Sequence, residues 1–205
     1  MFRPVTLALC LAASPALATP EYVLPTLFDV SEVASGDVLN IRARPDAAAP
    51  VIGSLAPDAT RIEVVAESDD GRWGLVNTGE GSGWVSMRFL NYRTDVWNTD
   101  ELPARFACHG TEPFWSVTRK GDALEWATPE SSMTYPRYEA HGGAWFRDPA
   151  RMIVGWSGGQ KITIAAMPAQ CSDGMSDRAY GLRALVLREG QGASESYTGC
   201  CSVAP

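Results

Sequence analysis

Two adjacent cysteines near the C-terminus, Cys200 and Cys201, constrain this chain more than any other feature. Neighbouring residues of a strand point to opposite faces. The two thiols therefore look in different directions, and each needs its own partner. A ring between adjacent cysteines demands strained geometry and is discounted. Of the five cysteines, Cys10 lies in an N-terminal stretch, MFRPVTLALCLAASPALA. That stretch has one positive charge (Arg3), an apolar run and a closing Ala16-Leu17-Ala18, the pattern of a secretory signal peptide over residues 1–18. Leu9 is large where a lipid-attachment motif needs a small residue, so Cys10 is not expected to be an anchor. Cys108, Cys171, Cys200 and Cys201 remain, an even set that in an exported chain implies two disulfides. Cys108 and Cys171 are each expected to bond one member of the pair, and the chain leaves open which takes which. These cysteines with His109 and His141 match no zinc-finger or ribbon spacing. No metal and no cofactor is expected.

The segments that such bridges would tie are β-like. In residues 30–91, short runs rich in apolar and β-branched residues alternate with turn signals. The runs are Val38–Ile41, Val51–Leu55, Arg61–Val65, Trp73–Val76 and Gly83–Val85, and the turns include Asp69-Asp70-Gly71 and Gly79-Glu80-Gly81. Residues 92–103 form a connector that contains Trp97 and ends at Pro103. From 104 to 201 the expected strands are Trp115–Thr118, Ala123–Trp126, Met152–Trp156, Lys161–Ile164 and Leu182–Leu187. A short helix is expected near Asp173–Tyr180. Sustained 3.6-residue periodicity is absent. The spacing predicts an all-β protein of two domains, a small barrel over 30–91 and a disulfide-tied antiparallel barrel-like domain over 104–201. A hydrophobic content of 45% is enough for both cores.

Charge and hydropathy narrow the partners. The net charge is −7, which disfavours nucleic acid as a ligand. The first module carries most of that excess, with five basic against nine acidic residues. No run beyond the leader is apolar enough to cross a bilayer as a helix. The expected location is periplasmic or secreted.

Leu39-Asn40-Ile41-Arg42 with Pro45, then Val51-Ile52-Gly53, Gly71-Arg72-Trp73, Gly83-Trp84-Val85 and Leu90, resembles the bacterial SH3-like (SH3b) domain. The resemblance implies a small antiparallel barrel, used in exported proteins to bind cell-wall peptides or to hold partner proteins. It also implies a ligand-binding surface at Asn40, Arg42, Trp73 and Trp84. Alternation places Leu39 and Ile41 on the core side and Asn40 and Arg42 on the other. Trp73 and Trp84 either fill the small core or floor a groove, and the core is favoured. Gly83 is expected to permit a tight turn before Trp84.

In the second half, Gly110-Thr111-Glu112-Pro113-Phe114-Trp115, Cys171-Ser172-Asp173-Gly174-Met175-Ser176-Asp177 and Gly199-Cys200-Cys201 resemble a family of uncharacterised bacterial envelope proteins. That family has a G-x-E-P-F-W start, a Cys before D-x-M-S and a terminal Gly-Cys-Cys. The resemblance implies a disulfide-tied domain outside the cytoplasm and brings no reaction with it.

Catalytic chemistry is weakly represented. No G-x-S-x-G elbow is present. Glu112, beside Pro113-Phe114-Trp115, is the best candidate acid, with Asp173 or Asp177 as a second carboxylate. A backbone-capping role for Glu112 is favoured. His109 and His141 read as packing and loop residues. Trp97, Trp115, Trp126, Trp145 and Trp156 either fill a core or, exposed, stack on sugars, and burial is favoured. The expected function is therefore a non-enzymatic binding or adaptor protein of the bacterial envelope, its partner a peptidoglycan peptide or an envelope protein. Inhibition of a hydrolase such as lysozyme is the alternative, suggested by the acidic charge. A wall hydrolase ranks behind both.

Overall fold

The computed structural model describes residues 22–143, 145 and 147–204. The expected signal peptide and Cys10 lie outside them. Among the described residues the regular elements are strands, with one 3₁₀ turn at Met87–Phe89 and no α-helix. The helix expected near Asp173–Tyr180 is a run of bends. There the Asp173 carboxylate accepts from the backbone N–H groups of Met175 and Ser176. Asp side chains compete in this way with helical hydrogen bonding.

The first domain is built from β1 (Thr26–Val30), β2 (Leu39–Arg42), β3 (Val51–Leu55), β4 (Ile62–Val64), β5 (Ala66–Glu67), β6 (Trp73–Thr78), β7 (Gly81–Ser86) and β8 (Leu90–Tyr92). They form a five-stranded sheet, β3-β2-β7-β6-β5, and a three-stranded sheet, β4-β1-β8. Phe28, Leu39, Ile41, Val64, Val76 and Val85 fill the core between them. Each comes from the inward set of an alternating strand, so period-2 patterning places this core. The Gly79 turn joins β6 to β7 at φ +58°, a conformation open to glycine. Gly83 serves a different purpose from the turn expected of it. It lies inside β7, where a methyl group would meet Ile41 Cγ2 at 2.6 Å and the Arg42 carbonyl oxygen at 2.9 Å. Its missing side chain lets β7 lie close against β2.

The second domain is an up-and-down meander of β9 (Ala107–Thr111), β10 (Phe114–Lys120), β11 (Ala123–Ala127), β12 (Ser132–Tyr135), β13 (Arg137–Gly142), β14 (Arg151–Ser157), β15 (Gln160–Cys171), β16 (Tyr180–Gly190) and β17 (Ala193–Ser202). The last strand pairs with the first, giving one nine-stranded antiparallel sheet in the order β12-β11-β10-β9-β17-β16-β15-β14-β13. The two edge strands are consecutive in the chain, so the sheet curls into a nearly closed barrel. Gly155 lets the sides approach, since a methyl there would be 3.2 Å from Tyr135 Cβ and 3.4 Å from Leu124 Cδ1. Trp115 and Trp126 stack inside at 5.2 Å, joined by Tyr197.

Both disulfides are formed. Cys108 and Cys201 are direct cross-strand neighbours on β9 and β17, fully buried, and bond inside the barrel. Cys200 points the other way and bonds Cys171 at the end of β15. The opposite orientation of adjacent strand residues thus decides the pairing that the chain left open.

The connector is fastened at both ends. Trp97 is buried in the second core, and its indole N–H donates to the Pro25 carbonyl at 2.8 Å. Arg151 donates to the carbonyls of Asn98 and Glu101 and stacks over the Trp97 ring. Strand β1 serves both domains, because Phe28 enters the first core and Leu27 the second.

Candidate functional site

The four SH3-type residues stand on one surface. In β6, Gly74 and Val76 are buried while Trp73 and Leu75 are half-buried. In β7, Gly83 and Val85 are buried while Trp84 is half-buried. Asn40 and Arg42 alternate likewise with Leu39 and Ile41 on β2. Trp73 and Trp84 therefore lie outside the first core, on the outer face of the five-stranded sheet. Register aligns a row across it: Arg42 faces Trp84, Trp84 faces Leu75, and Leu75 faces Ala66. Trp73 is one pleat away, opposite Ser86. Asn40 faces Ser54 of β3, one pleat from Arg42. Arg42 Nη1 donates to the Ala49 carbonyl at 2.8 Å, so one arm of its guanidinium holds the β2–β3 loop.

The three motifs of the second domain meet at one cleft of about 770 Å³, lined by His109, Glu112, Phe114, Asp173, Met175 and Arg183 among others. They are brought together because β9, β15 and β17 lie near one another around the barrel. Glycines of two motifs carry a structural duty. A methyl on Gly110 would be 2.2 Å from Trp115 Nε1, and one on Gly199 would be 2.0 Å from the His109 carbonyl oxygen. The empty space at both positions admits the Trp115 indole.

The cleft's ionisable groups are poised by structure. Burial works against the Asp173 charge, but hydrogen bonds from the Ser176 and Met175 amides, the Ser176 hydroxyl and Tyr180 outweigh it and hold the carboxyl at about 2. Burial pushes His109 below its ordinary value, with Asp173 opposing and Arg178 assisting. His109 Nε2 lies 3.9 Å from Asp173 Oδ2, and its ring meets Tyr180 edge-on at 4.9 Å. Glu112 is exposed at the hairpin between β9 and β10. Asp177 is engaged through its backbone, donating to the Glu80 carbonyl across the domain junction. His141 is exposed, 3.6 Å from Glu139. A larger cleft of about 900 Å³ lies near that edge of the barrel, with acidic and basic groups intermixed. Of the tryptophans, Trp97, Trp115 and Trp126 are buried, Trp156 is half-buried and Trp145 is 82% exposed.

Two residues that sequence reasoning passed over sit where the domains meet. Glu63 alternates with Ile62 and Val64 and so reads as a solvent-facing strand residue. Its outward side is covered by the second domain instead, and it is 8% exposed. Arg178 follows the Cys171 motif with nothing to mark it. The junction also includes Asn77, whose side chain donates to the Ala179 carbonyl and accepts from the Ala179 amide.

A family model described as the bacterial SH3 domain matches residues 37–91. The matched residues span β2 to β8 and contain the whole Arg42–Trp84–Leu75 row. Residues 37–91 are therefore assigned to a bacterial SH3 domain. No curated protein and no solved structure matches the chain.

Proposed function

We propose that the protein is an exported, non-enzymatic binding protein of the bacterial cell envelope, whose SH3 domain contacts peptidoglycan peptides. The observation that carries this reading is the outer face of the five-stranded sheet. There Arg42, Trp84 and Leu75 stand in cross-strand register, and Asn40 and Trp73 flank them. Half-buried aromatic rings in a sheet offer flat, rigid contact area at low entropic cost. An adjacent guanidinium supplies a fork for carboxylates. Two disulfides support a location outside the reducing cytoplasm. Among the described residues no helix is long and apolar enough to cross a membrane.

Co-sedimentation of the oxidised protein with insoluble peptidoglycan tests the proposal. Retention is expected for the native protein, and Trp84→Ala should weaken it by about tenfold, the loss typical of an aromatic anchor. No retention of the folded protein would remove wall binding. Release of soluble fragments, abolished by Glu112→Ala, would point to a hydrolase.

A further inference from the structure

The row Arg42–Trp84–Leu75–Ala66 does not end at the sheet edge. Leu75 and Ala66 pass into a pocket of about 330 Å³ where the two domains meet. Its other wall is the segment that leads from Gln170 and Cys171 to Arg178 and Tyr180. Among the residues lining this pocket, Arg178 carries the one formal charge. Its Nε is shut from solvent and has no hydrogen-bond partner among the described residues. The guanidinium lies over the Tyr180 ring at 5.8 Å. Glu63 feels the charge of Arg178, but its oxygens are already taken by Ser202, Val203 and Ala204. The two terminal Nη groups together present a fork that a carboxylate accepts. Val65, Ala66, Leu75 and Ala179 make one part of the lining small and apolar, while Gln170 and Ser172 add neutral polar groups.

We propose that this junction pocket receives the free C-terminal carboxylate of a short peptide, held by Arg178, while the preceding residues lie over Leu75 and Trp84 toward Arg42. The Gln170–Tyr180 segment walls off the far end of the row, so a peptide laid along it terminates there. The apolar walls select a small apolar last residue. This inference rests on the peptide-binding reading of the SH3 face and adds the polarity of the ligand and the group that anchors it.

The test titrates the purified, oxidised protein with a D-alanine-terminated stem-peptide fragment and with the same fragment as its C-terminal amide. The free acid is expected to bind about tenfold or more tightly than the amide, the scale of one charge-assisted bidentate pair. Arg178→Gln should erase that difference. Gln170 is exposed on β15, so Gln170→Glu should leave the fold unchanged and weaken the acid while sparing the amide. Equal affinities for acid and amide, or a preference that survives Arg178→Gln, overturn the pocket. If the protein still sediments with peptidoglycan in that case, the SH3 reading stands and only the anchor falls. Absence of sedimentation and of binding by either peptide overturns both.

Discussion

Glu63, on β4 of the first barrel, accepts a hydrogen bond from the hydroxyl of Ser202, which lies 139 residues further along the chain at the end of β17. The backbone amides of Val203 and Ala204 donate to the same carboxylate at 3.2 and 3.3 Å. One buried side chain of the SH3 domain thus gathers the C-terminal tail of the other domain. With Leu27 in the second core and Asn77 paired to Ala179, it makes a junction of burial and hydrogen bonds. The pocket beside Arg178 depends on that junction for its shape.

The Glu63 contact has a pH signature. Burial raises the Glu63 carboxyl above its ordinary 4.5, against the hydrogen bonds from Ser202, Val203 and Ala204 and the charge of Arg178. An acid whose folded value is raised binds more protons in the native than in the unfolded state. Its contribution is present below the unfolded value and is lost as pH rises through the folded one. Denaturation of native protein and Glu63→Gln from pH 4 upward should show the native protein losing stability relative to the variant as pH rises. A slope of opposite sign would mean that the three donors favour the carboxylate more than burial disfavours it.

Asp173 behaves in the opposite sense. Its carboxyl lies at about 2, below the ordinary 3.8, and its side chain is 10% exposed. Its contribution, about 2 kcal/mol, is present above pH 4 and is lost as pH falls toward 2. Asp173→Asn should lower stability by a similar amount at neutral pH and flatten the acid limb of a stability–pH profile. An unchanged acid limb would contradict the network of Ser176, Met175 and Tyr180 around it.

Peptide mapping without reduction should recover Cys108 linked to Cys201 and Cys171 linked to Cys200, with no free thiol among the four. The loops span 93 and 29 residues. On the chain-entropy model their closure stabilises by about 4–5 and about 3–4 kcal/mol, both upper figures. Replacing Cys108 and Cys201 together by serine should therefore lower the denaturation midpoint more than replacing Cys171 and Cys200. The reverse order would show that native-state packing outweighs loop length.

Gly199→Ala should destabilise the second domain by about 3 kcal/mol or more, because its methyl would collide with backbone at His109 as well as with the Trp115 ring. Gly83→Ala should cost about 1–3 kcal/mol through the clash with Ile41 and the Arg42 carbonyl. Thermal unfolding monitored by tryptophan fluorescence measures both. A neutral Gly199→Ala would remove the explanation given for the Gly-Cys-Cys motif.

Sequence alone determined the local features: the β class, the inward and outward faces of β2, and the need for two different partners at Cys200 and Cys201. All of these follow from a period of two along a strand, which is written in consecutive residues. β12, β13 and β17 were less legible, because Pro136 and the polar run Ala193–Thr198 hide that period. Tertiary structure decided what depends on distant segments meeting. It set Cys108 against Cys201 through the β9–β17 register, turned Gly83 from a turn residue into a packing gap, and brought three separated motifs to one cleft. It also buried Glu63 and left Arg178 beside a pocket without an acceptor. Nothing adjacent in the chain marks either residue, since burial at a domain junction is set by a surface contributed from more than a hundred residues away.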